Sequence, residues 1–354
     1  MAGIDLLCIG NVMVDVFAEA AGDFCKRFGF TAPVQHVSPE LAGMALRLLP
    51  KTVYSSGGGA ANTAKTAARL GLKTAFAGCA GRAGNISAPA GPCVSGGGGG
   101  MDGLGRIFRR ELEEAGVETF LCTLGKTGCC LILKNPEEDP GIRIAAAPGS
   151  PLDPASVPED LFRKARFFML DGYMLGRQDL RPFIEKARSL SLQKYFALDA
   201  GSAAVVNGRA GDIAALLRDY GLILFMNREE AAALRRRLEA PEPSGSSKGL
   251  FRFLQKLCAS PSGPVIVLKL AGRGAAVCTR DGVYTAETRA LKIEDSTGAG
   301  DAFAAGFLSA LFRYGGLWGE GRPGPETWES CARAGNAAAA LILSGPEKGN
   351  QPRP

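Results

Sequence analysis

Short apolar runs typical of buried β-strands alternate with helical patterns along most of this 354-residue chain. The first run reads Ile-Asp-Leu-Leu-Cys-Ile and ends at Gly10. Later runs with the same character lie at residues 167–170, 195–198, 222–225 and 265–268. Helical patterns lie between them, and that of residues 104–115 carries an apolar stripe closed by Gly116. The alternation predicts a doubly wound α/β fold with a mostly parallel sheet.

Two segments, 17–55 and 119–149, lack this alternation, and we expect them to form a small β-rich lid. Residues 82–100 consist mostly of Gly, Pro, Ser and Ala, which predicts a flexible insertion. The polar residues 346–354 are expected to form a frayed tail. The remaining segments are assigned to the α/β core: 1–16, 56–118 and 150–345.

Composition excludes several classes of partner. The net charge of +6 is mild, and the basic run Arg235–Arg237 lies beside glutamates, so we expect no nucleic-acid partner. No basic leader is present, and no apolar stretch reaches the ~18 residues of a membrane span. We therefore expect a cytoplasmic protein, with its ten scattered cysteines as free thiols. His36 is the only histidine, so acid–base chemistry falls to carboxylates.

The strongest chemical signal is Asp-Ser-Thr-Gly-Ala-Gly-Asp at residues 295–301. A strand is predicted just before it, at 290–293, and an apolar helix follows. Glycines leave backbone N–H groups uncovered at a helix start, where these donors and the helix dipole favour an anion. Asp301 lies in the first turn beside them. Phosphoryl transfer to a hydroxyl needs such donors and a base, although Asp301 alone would also complement the helix dipole.

This heptapeptide resembles the C-terminal signature of the ribokinase/PfkB family of carbohydrate and nucleoside kinases. Residues 57–64, Gly-Gly-Gly-Ala-Ala-Asn-Thr-Ala, resemble the N-terminal signature. Residues 227–230 resemble the Asn-x-x-Glu motif, and 267–275 resemble the strand and turn that border ATP. Four motifs in the family's order imply an ATP-dependent kinase for a small-molecule sugar or nucleoside, as a monomer or homodimer.

The resemblance also implies residue roles. An anion hole would be formed by Gly298, Ala299 and Gly300, with Asp301 as the base. The acceptor's hydroxyls would be bound by Asn11, Asp15, Gly58 and Asn62. ATP and Mg²⁺ would be bound by Asn227, Glu230, Lys269, Gly272, Gly274 and Asn336. Asp295, with backbone carbonyls near Asn336, would hold a monovalent cation such as K⁺.

The branch resembled is that of adenosine kinases, because residues 10–15 read Gly-Asn-x-x-x-Asp and residues 170–173 resemble its Leu-Glu-Gly-Tyr. We therefore expect a nucleoside acceptor, adenosine first. A flat base could be covered by Phe17, Phe24, Phe28 and Phe30, although for any single one of them a place in the lid's own small core is the commoner role. The alternatives are a sugar kinase (ribokinase-, fructokinase- or ketodeoxygluconate kinase-like) and a non-catalytic nucleotide- or sugar-binding sensor. Ala271 departs from the family, which usually has glycine there.

Overall fold

The computed structural model describes residues 3–20, 22–84, 94–95, 100–135, 142–191, 194–239, 247–288, 298–315 and 323–344. Most of the segment 82–100, the predicted strand 290–293 and the tail 346–354 lie outside these residues. The chain divides into two compact units. The first comprises Met1–Ile9, Asn62–Ala75 and Glu159–Gly345. The second comprises Gly10–Ala61, Phe76–Pro158 and Pro346–Pro354.

The strands, in chain order, are β1 (Ile4–Ile9), β2 (Met13–Glu19), β3 (Val34–His36), β4 (Val53–Gly57), β5 (Thr74–Ala80), β6 (Val94–Ser95), β7 (Glu118–Thr123), β8 (Gly128–Lys134), β9 (Ile142–Ala147), β10 (Ala165–Asp171), β11 (Tyr195–Asp199), β12 (Ile223–Asn227), β13 (Val265–Lys269), β14 (Ala275–Cys278) and β15 (Val283–Ala286).

The α-helices are α1 (Gly22–Arg27), α2 (Pro39–Leu46), α3 (Gly59–Arg69), α4 (Gly103–Glu114), α5 (Glu159–Lys164), α6 (Arg181–Leu190), α7 (Ala203–Tyr220), α8 (Arg228–Leu238), α9 (Ser247–Cys258), α10 (Ala299–Arg313) and α11 (Pro325–Ser344). Short 3₁₀ helices occupy Pro154–Ser156, Gly172–Gly176 and Ala271–Arg273.

The sheet of the first unit confirms the expected α/β class. Its strands are ordered β15-β14-β13-β12-β11-β10-β1. The strands β1, β10, β11, β12 and β13 pair in parallel, whereas β14 and β15 are antiparallel. Carboxyl ends of parallel strands meet at one sheet edge, where open α/β sheets bind ligands. Asp171 is in register with Asp199 at that edge, and Asn227 with Lys269.

Helices α10 and α11 pack so closely that two glycines are required at their contact. A Cβ atom added to Gly306 would lie 2.5 Å from the Ala334 carbonyl oxygen. One added to Gly335 would lie 2.7 Å from the Phe303 ring. The contact is close because neither glycine has a side chain, and it holds α10, the helix that carries Asp301, against α11.

The second unit contains a small sheet ordered β3-β9-β8-β2-β4. Successive side chains of β2 point to opposite faces of this sheet. Val14, Val16 and Ala18 are buried on one face, whereas Met13, Asp15 and Phe17 are only half-buried on the other. The buried face packs against α2 and α4. The predicted lid segments 17–55 and 119–149 supply most of this sheet. Its function as a lid stays a prediction.

Asp102 joins three parts of the second unit. Its carboxylate accepts the Gly105 N–H over 2.8 Å, which caps α4. It also accepts the Thr127 N–H over 2.9 Å and the Thr127 hydroxyl over 2.7 Å. That hydroxyl in turn accepts the Gly81 N–H over 2.7 Å. The network ties α4 to the chain after β5 and to the turn before β8. In the described part of the chain, no helix is both long and apolar enough to cross a bilayer.

Candidate active site

The start of α10 has the geometry that its glycines predict. Gly298 precedes the helix with a φ of 78°, a left-handed conformation that favours glycine. Its carbonyl oxygen accepts the Ala302 N–H over 2.9 Å, so the helical bonding begins there. Asp301 lies in the first turn. The sequence motif therefore places a carboxylate beside the uncovered N–H groups of a helix start.

Asp301 is held by α3, which is remote in sequence. Asn62 Nδ2 donates to Asp301 Oδ2 over 3.0 Å, and the Thr63 hydroxyl donates to the Asp301 carbonyl oxygen over 3.3 Å. Burial and the negative charge of Asp199 raise the pKa of Asp301 to about 7. A carboxyl group that titrates near neutral pH is well matched to accepting a proton from a hydroxyl.

Lys269 brings a positive charge to the same helix start. Its Nζ donates to Asp199 Oδ2 over 2.8 Å. A Cβ atom added to Gly300 would lie 3.2 Å from Lys269 Nζ, so the ammonium group lies against the first turn of α10. Burial alone would lower the pKa of Lys269, but attraction by Asp199, Glu230 and Asp301 outweighs it and raises the pKa. Lys269 is therefore firmly cationic.

Asn227 and Glu230 form a capping box at the start of α8. The Asn227 side chain accepts the Glu230 N–H over 2.9 Å, and Glu230 Oε2 accepts the Asn227 N–H over 2.7 Å. Glu230 is only 4% exposed. Burial, reinforced by the charge of Asp199, raises its pKa. A capping box alone rarely needs a buried carboxylate, because most lie on helix surfaces.

The donor set fits Mg²⁺ bound together with ATP. Among the described residues, no three His, Cys, Asp or Glu side chains converge closely enough to hold a metal ion. Mg²⁺ usually keeps several waters and is bound by one or two carboxylates plus substrate phosphates. Glu230 and Asn227 offer a carboxylate and an amide oxygen at the carboxyl edge of the sheet. They would hold the ion through water in this way.

The turn after β13 departs from ordinary backbone geometry. Ala271 has a φ of 52° and is the only non-glycine residue with a positive φ in the described part of the chain. Gly274 has a φ of 84°, and a Cβ there would clash with the Ala286 carbonyl. Gly272 has open space around it. A left-handed alanine costs roughly 1 to 2 kcal/mol, so the substitution noted in the sequence strains this turn.

Ala271→Gly is accordingly expected to raise the free energy of unfolding by up to about 1 kcal/mol, because glycine tolerates the left-handed conformation. The measurement is urea denaturation of both proteins. Ala232→Gly in the interior of α8 is the matched control, and should lower that free energy by about 1 kcal/mol. If both changes destabilise equally, Ala271 is not strained.

The Asn336 side chain bonds to backbone carbonyl groups after β15, and its part in ATP binding stays a prediction. Its Nδ2 donates to the Ala286 carbonyl oxygen over 3.0 Å and to that of Glu287 over 3.4 Å. The side chain thus ties α11 to the end of β15. Asp295 lies outside the described residues. The monovalent-cation site stays a prediction.

In the second unit, three acceptor-site candidates lie together. A Cβ added to Gly57 would lie 2.5 Å from Asp15 Oδ1, so the Asp15 carboxylate covers Gly57 closely. Gly58 has a φ of 91°, and a Cβ there would lie 3.2 Å from the Asn11 carbonyl oxygen. Asp15 is in register with Ser55 on β4 and Cys130 on β8. Burial and the charge of Asp15 raise the pKa of Cys130 to about 12, so that thiol stays protonated.

The predicted aromatic cover for a base is largely absent from the open face of this sheet. Phe28 and Phe30 are 9% and 1% exposed, with ring centroids 5.7 Å apart. Phe24 packs on Phe28 with centroids 4.8 Å apart. Phe28 and Phe30 thus belong to the second unit's own core, and the half-buried Phe24 packs against Phe28. Phe17, half-buried on the same face of β2 as Asp15, is the exception.

Asp171 and Asp199 were not singled out as site residues by sequence reasoning. Both end apolar strands, and their parallel register places them side by side at the carboxyl edge. Both raise the pKa of Asp301. The available signal was an aspartate at the end of two successive buried runs, at residues 171 and 199.

Comparison with solved structures agrees with this architecture. A probable sugar kinase from Rhizobium etli CFN 42 matches with a TM-score of 0.74 and 23% identity, covering 98% of this chain and 94% of that one. Adenosine kinase from Sinorhizobium meliloti matches with a TM-score of 0.73 and 23% identity, covering 97% and 95%. These likenesses establish the ribokinase-like fold.

Curated relatives are sugar kinases. The chain is 24% identical over 361 residues to 5-dehydro-2-deoxygluconokinase 2 of Bacillus cereus, covering 96% of this chain and 89% of the relative. It is 25% identical over 246 residues to an uncharacterized sugar kinase of Archaeoglobus fulgidus, covering 69% and 88%. The model of the pfkB family carbohydrate kinases matches residues 97–353, which is well over half of the chain. The protein thus belongs to the pfkB family of carbohydrate kinases, phosphotransferases whose acceptors are hydroxyl groups.

Proposed function

We propose that this chain transfers the γ-phosphoryl group of ATP to a hydroxyl group of a sugar or nucleoside, with Asp301 as the general base. One observation carries the proposal. The Asp301 carboxyl group, whose pKa is raised to about 7, lies in the first turn of α10 beside the uncovered N–H groups of Gly298 to Gly300. A base and an anion site therefore adjoin each other.

The transfer follows from these positions. Asp301 takes the proton of the acceptor hydroxyl as its oxygen forms a bond to the γ-phosphorus. The bond between the γ-phosphorus and its bridging oxygen breaks, and ADP leaves. The N–H groups at the start of α10 and the Lys269 ammonium group stabilise the charge on the phosphoryl oxygens. Mg²⁺, when bound with ATP, neutralises further phosphate charge.

Asn62 connects base and acceptor in this proposal. Its Nδ2 donates to Asp301 Oδ2 over 3.0 Å, which orients the carboxylate. Its side-chain oxygen can accept a hydrogen bond from the acceptor. Asn11, Asp15 and Gly58 bind the acceptor's other hydroxyl groups. A carboxylate suits this task, because hydrogen bonds to charged groups contribute more than neutral ones.

Of the two acceptor classes, we favour a sugar. Phe28 and Phe30 were candidates to cover a base, but both rings are buried in the core of their own unit. Asp15 instead lies opposite Ser55 on the half-buried face of β2 and β4, and this polar pair suits hydroxyl groups. The curated relatives are named as sugar kinases. A nucleoside remains the second candidate, because Phe17 is placed on that same face.

The test is ADP release with ribose, fructose, 5-dehydro-2-deoxygluconate, adenosine and other nucleosides under identical ATP and Mg²⁺. We expect a sugar to exceed every nucleoside in kcat/KM by at least about tenfold, which is about 1.4 kcal/mol of transition-state preference. ADP release measured without any acceptor is the background. A tenfold lead for a nucleoside would reverse the choice. ATP binding with no transfer to any acceptor would favour the sensor alternative.

A further inference from the structure

The ion pair between Lys269 and Asp199 is shielded from water at both ends. Lys269 Nζ lies 2.8 Å from Asp199 Oδ2, and the two side chains are 16% and 15% exposed. Asp199 ends β11 and Lys269 ends β13, so the pair reaches across β12. Withdrawing two charges from water costs free energy that the pair's attraction often fails to recover. Stability alone is therefore a weak reason for this pair.

The lysine end of the pair lies at the anion site. A Cβ on Gly300 would lie 3.2 Å from Lys269 Nζ and 3.8 Å from its Cε. The ammonium group therefore contacts the first turn of α10, where N–H groups lack helical partners. An ammonium group has three N–H bonds, and Asp199 accepts one of them. Lysine can bind a phosphoryl oxygen while it keeps this partner.

The aspartate end is fixed by the backbone. Asp199 Oδ1 accepts the Gly201 N–H over 3.0 Å, while Oδ2 accepts from Lys269. Both oxygens of the carboxylate are thus engaged with this chain. A flexible four-carbon side chain such as that of lysine loses much rotamer freedom when it is held in one place. Asp199 supplies that restraint before the nucleotide arrives.

We propose that Asp199 is a positioning residue for phosphoryl transfer, which holds the Lys269 ammonium group beside Gly300 where it binds the transferred phosphoryl group. The inference rests on the proposed function and deepens it. The competing explanation is a structural strut across β12, which would affect stability and leave the reaction unchanged.

The charges around Asp301 predict how each substitution shifts the pH profile, whereas the loss of kcat and its coupling to Lys269 separate a positioning role from a strut. Asp301 interacts with Asp199 and Asp171, which raise its pKa, and with Lys269 and the Asn62 amide, which lower it. Asp199→Asn removes a negative charge, so the acidic limb of kcat should move to lower pH. Lys269→Gln removes a positive charge, so that limb should move to higher pH. The two shifts have opposite signs.

The experiment compares Asp199→Asn, Lys269→Gln and the double variant on the alkaline plateau of kcat. Lys269→Gln should lose roughly 10²-fold, as expected when one donor to a developing anion is removed. Asp199→Asn should lose at least about tenfold. The double variant should be no slower than Lys269→Gln, because a residue acting through another adds nothing once that other is gone. Glu239→Gln, which breaks the half-buried pair of Arg235 and Glu239, is the control with unchanged kcat.

Failure of the inference can be told apart from failure of the proposed function. If the wild type transfers phosphate while Asp199→Asn keeps its kcat on the alkaline plateau, or if the two losses multiply, the inference is overturned and the kinase assignment stands. If the wild type transfers to no acceptor, the proposed function fails. In that case the inference is tested by calorimetry, which measures the affinity for a non-hydrolysable ATP analogue. The inference is supported if Lys269→Gln and the double variant lose affinity equally and Asp199→Asn loses less. It is overturned if none of the variants changes the affinity.

Discussion

Asp301→Asn is expected to bind ATP as the wild type does and to lose about 10² to 10⁴-fold in kcat. The amide has nearly the shape of the carboxylate and still offers an oxygen to Asn62 Nδ2, so the start of α10 is preserved. It cannot take a proton from the acceptor hydroxyl. The measurements are kcat with the best acceptor and the affinity for a non-hydrolysable ATP analogue.

A different result is expected if Asp301 only complements the dipole of α10 and is not the base. Glu326 occupies the first turn of α11 and is the matched control, because an acid there complements the helix dipole in the same way. Glu326→Gln should leave kcat unchanged and alter stability by less than about 1 kcal/mol. If Asp301→Asn retains more than about a tenth of the wild-type kcat, Asp301 is not the base.

Asp301→Asn should raise the free energy of unfolding although it lowers activity. The folded state disfavours the ionised Asp301, since burial and Asp199 raise its pKa to about 7. The unfolded chain ionises near the ordinary aspartate pKa, so the folded state loses stability as the pH rises through this range. Asp301→Asn removes that loss. The variant should therefore resist urea better than the wild type at mildly alkaline pH, although it is nearly inactive.

Activity of the wild type should fall about tenfold for each pH unit below the Asp301 pKa of about 7. The base works only when it is ionised, and below its pKa the ionised fraction falls about tenfold for each pH unit. At about pH 5 the loss should approach a hundredfold. The measurement is kcat at saturating ATP and acceptor across this range.

The pH prediction needs its own control, because a terminal phosphate also takes up a proton in mildly acidic solution. The control is the residual rate of Asp301→Asn as a function of pH. This rate should no longer fall because the base is protonated, and should keep any fall that is due to protonation of ATP. A wild-type kcat that stays constant down to about pH 5 would show that Asp301 titrates as an ordinary aspartate or is not the base.

Local pattern was enough to predict much of this protein. Buried strands of a parallel sheet are apolar on both faces, so β10 to β13 stand out as continuous runs in the sequence. The proposed anion site also rests on a local pattern. Its glycines and Asp301 are contiguous at the start of one helix, and their chemistry depends on that helix alone. The capping residues Asn227 and Glu230 lie three positions apart and were equally visible.

Contacts between distant segments were decided only by the tertiary structure. Asn62 reaches Asp301 across 239 positions, and Lys269 reaches Asp199 across 70. The strand register sets these distances, and no local pattern encodes it. The raised pKa of Asp301 is a product of the same assembly, because it arises from burial and from charges on other strands. Phe28 and Phe30 illustrate the converse. An aromatic residue suits a core and a binding face equally well, and only packing places these two rings in the core.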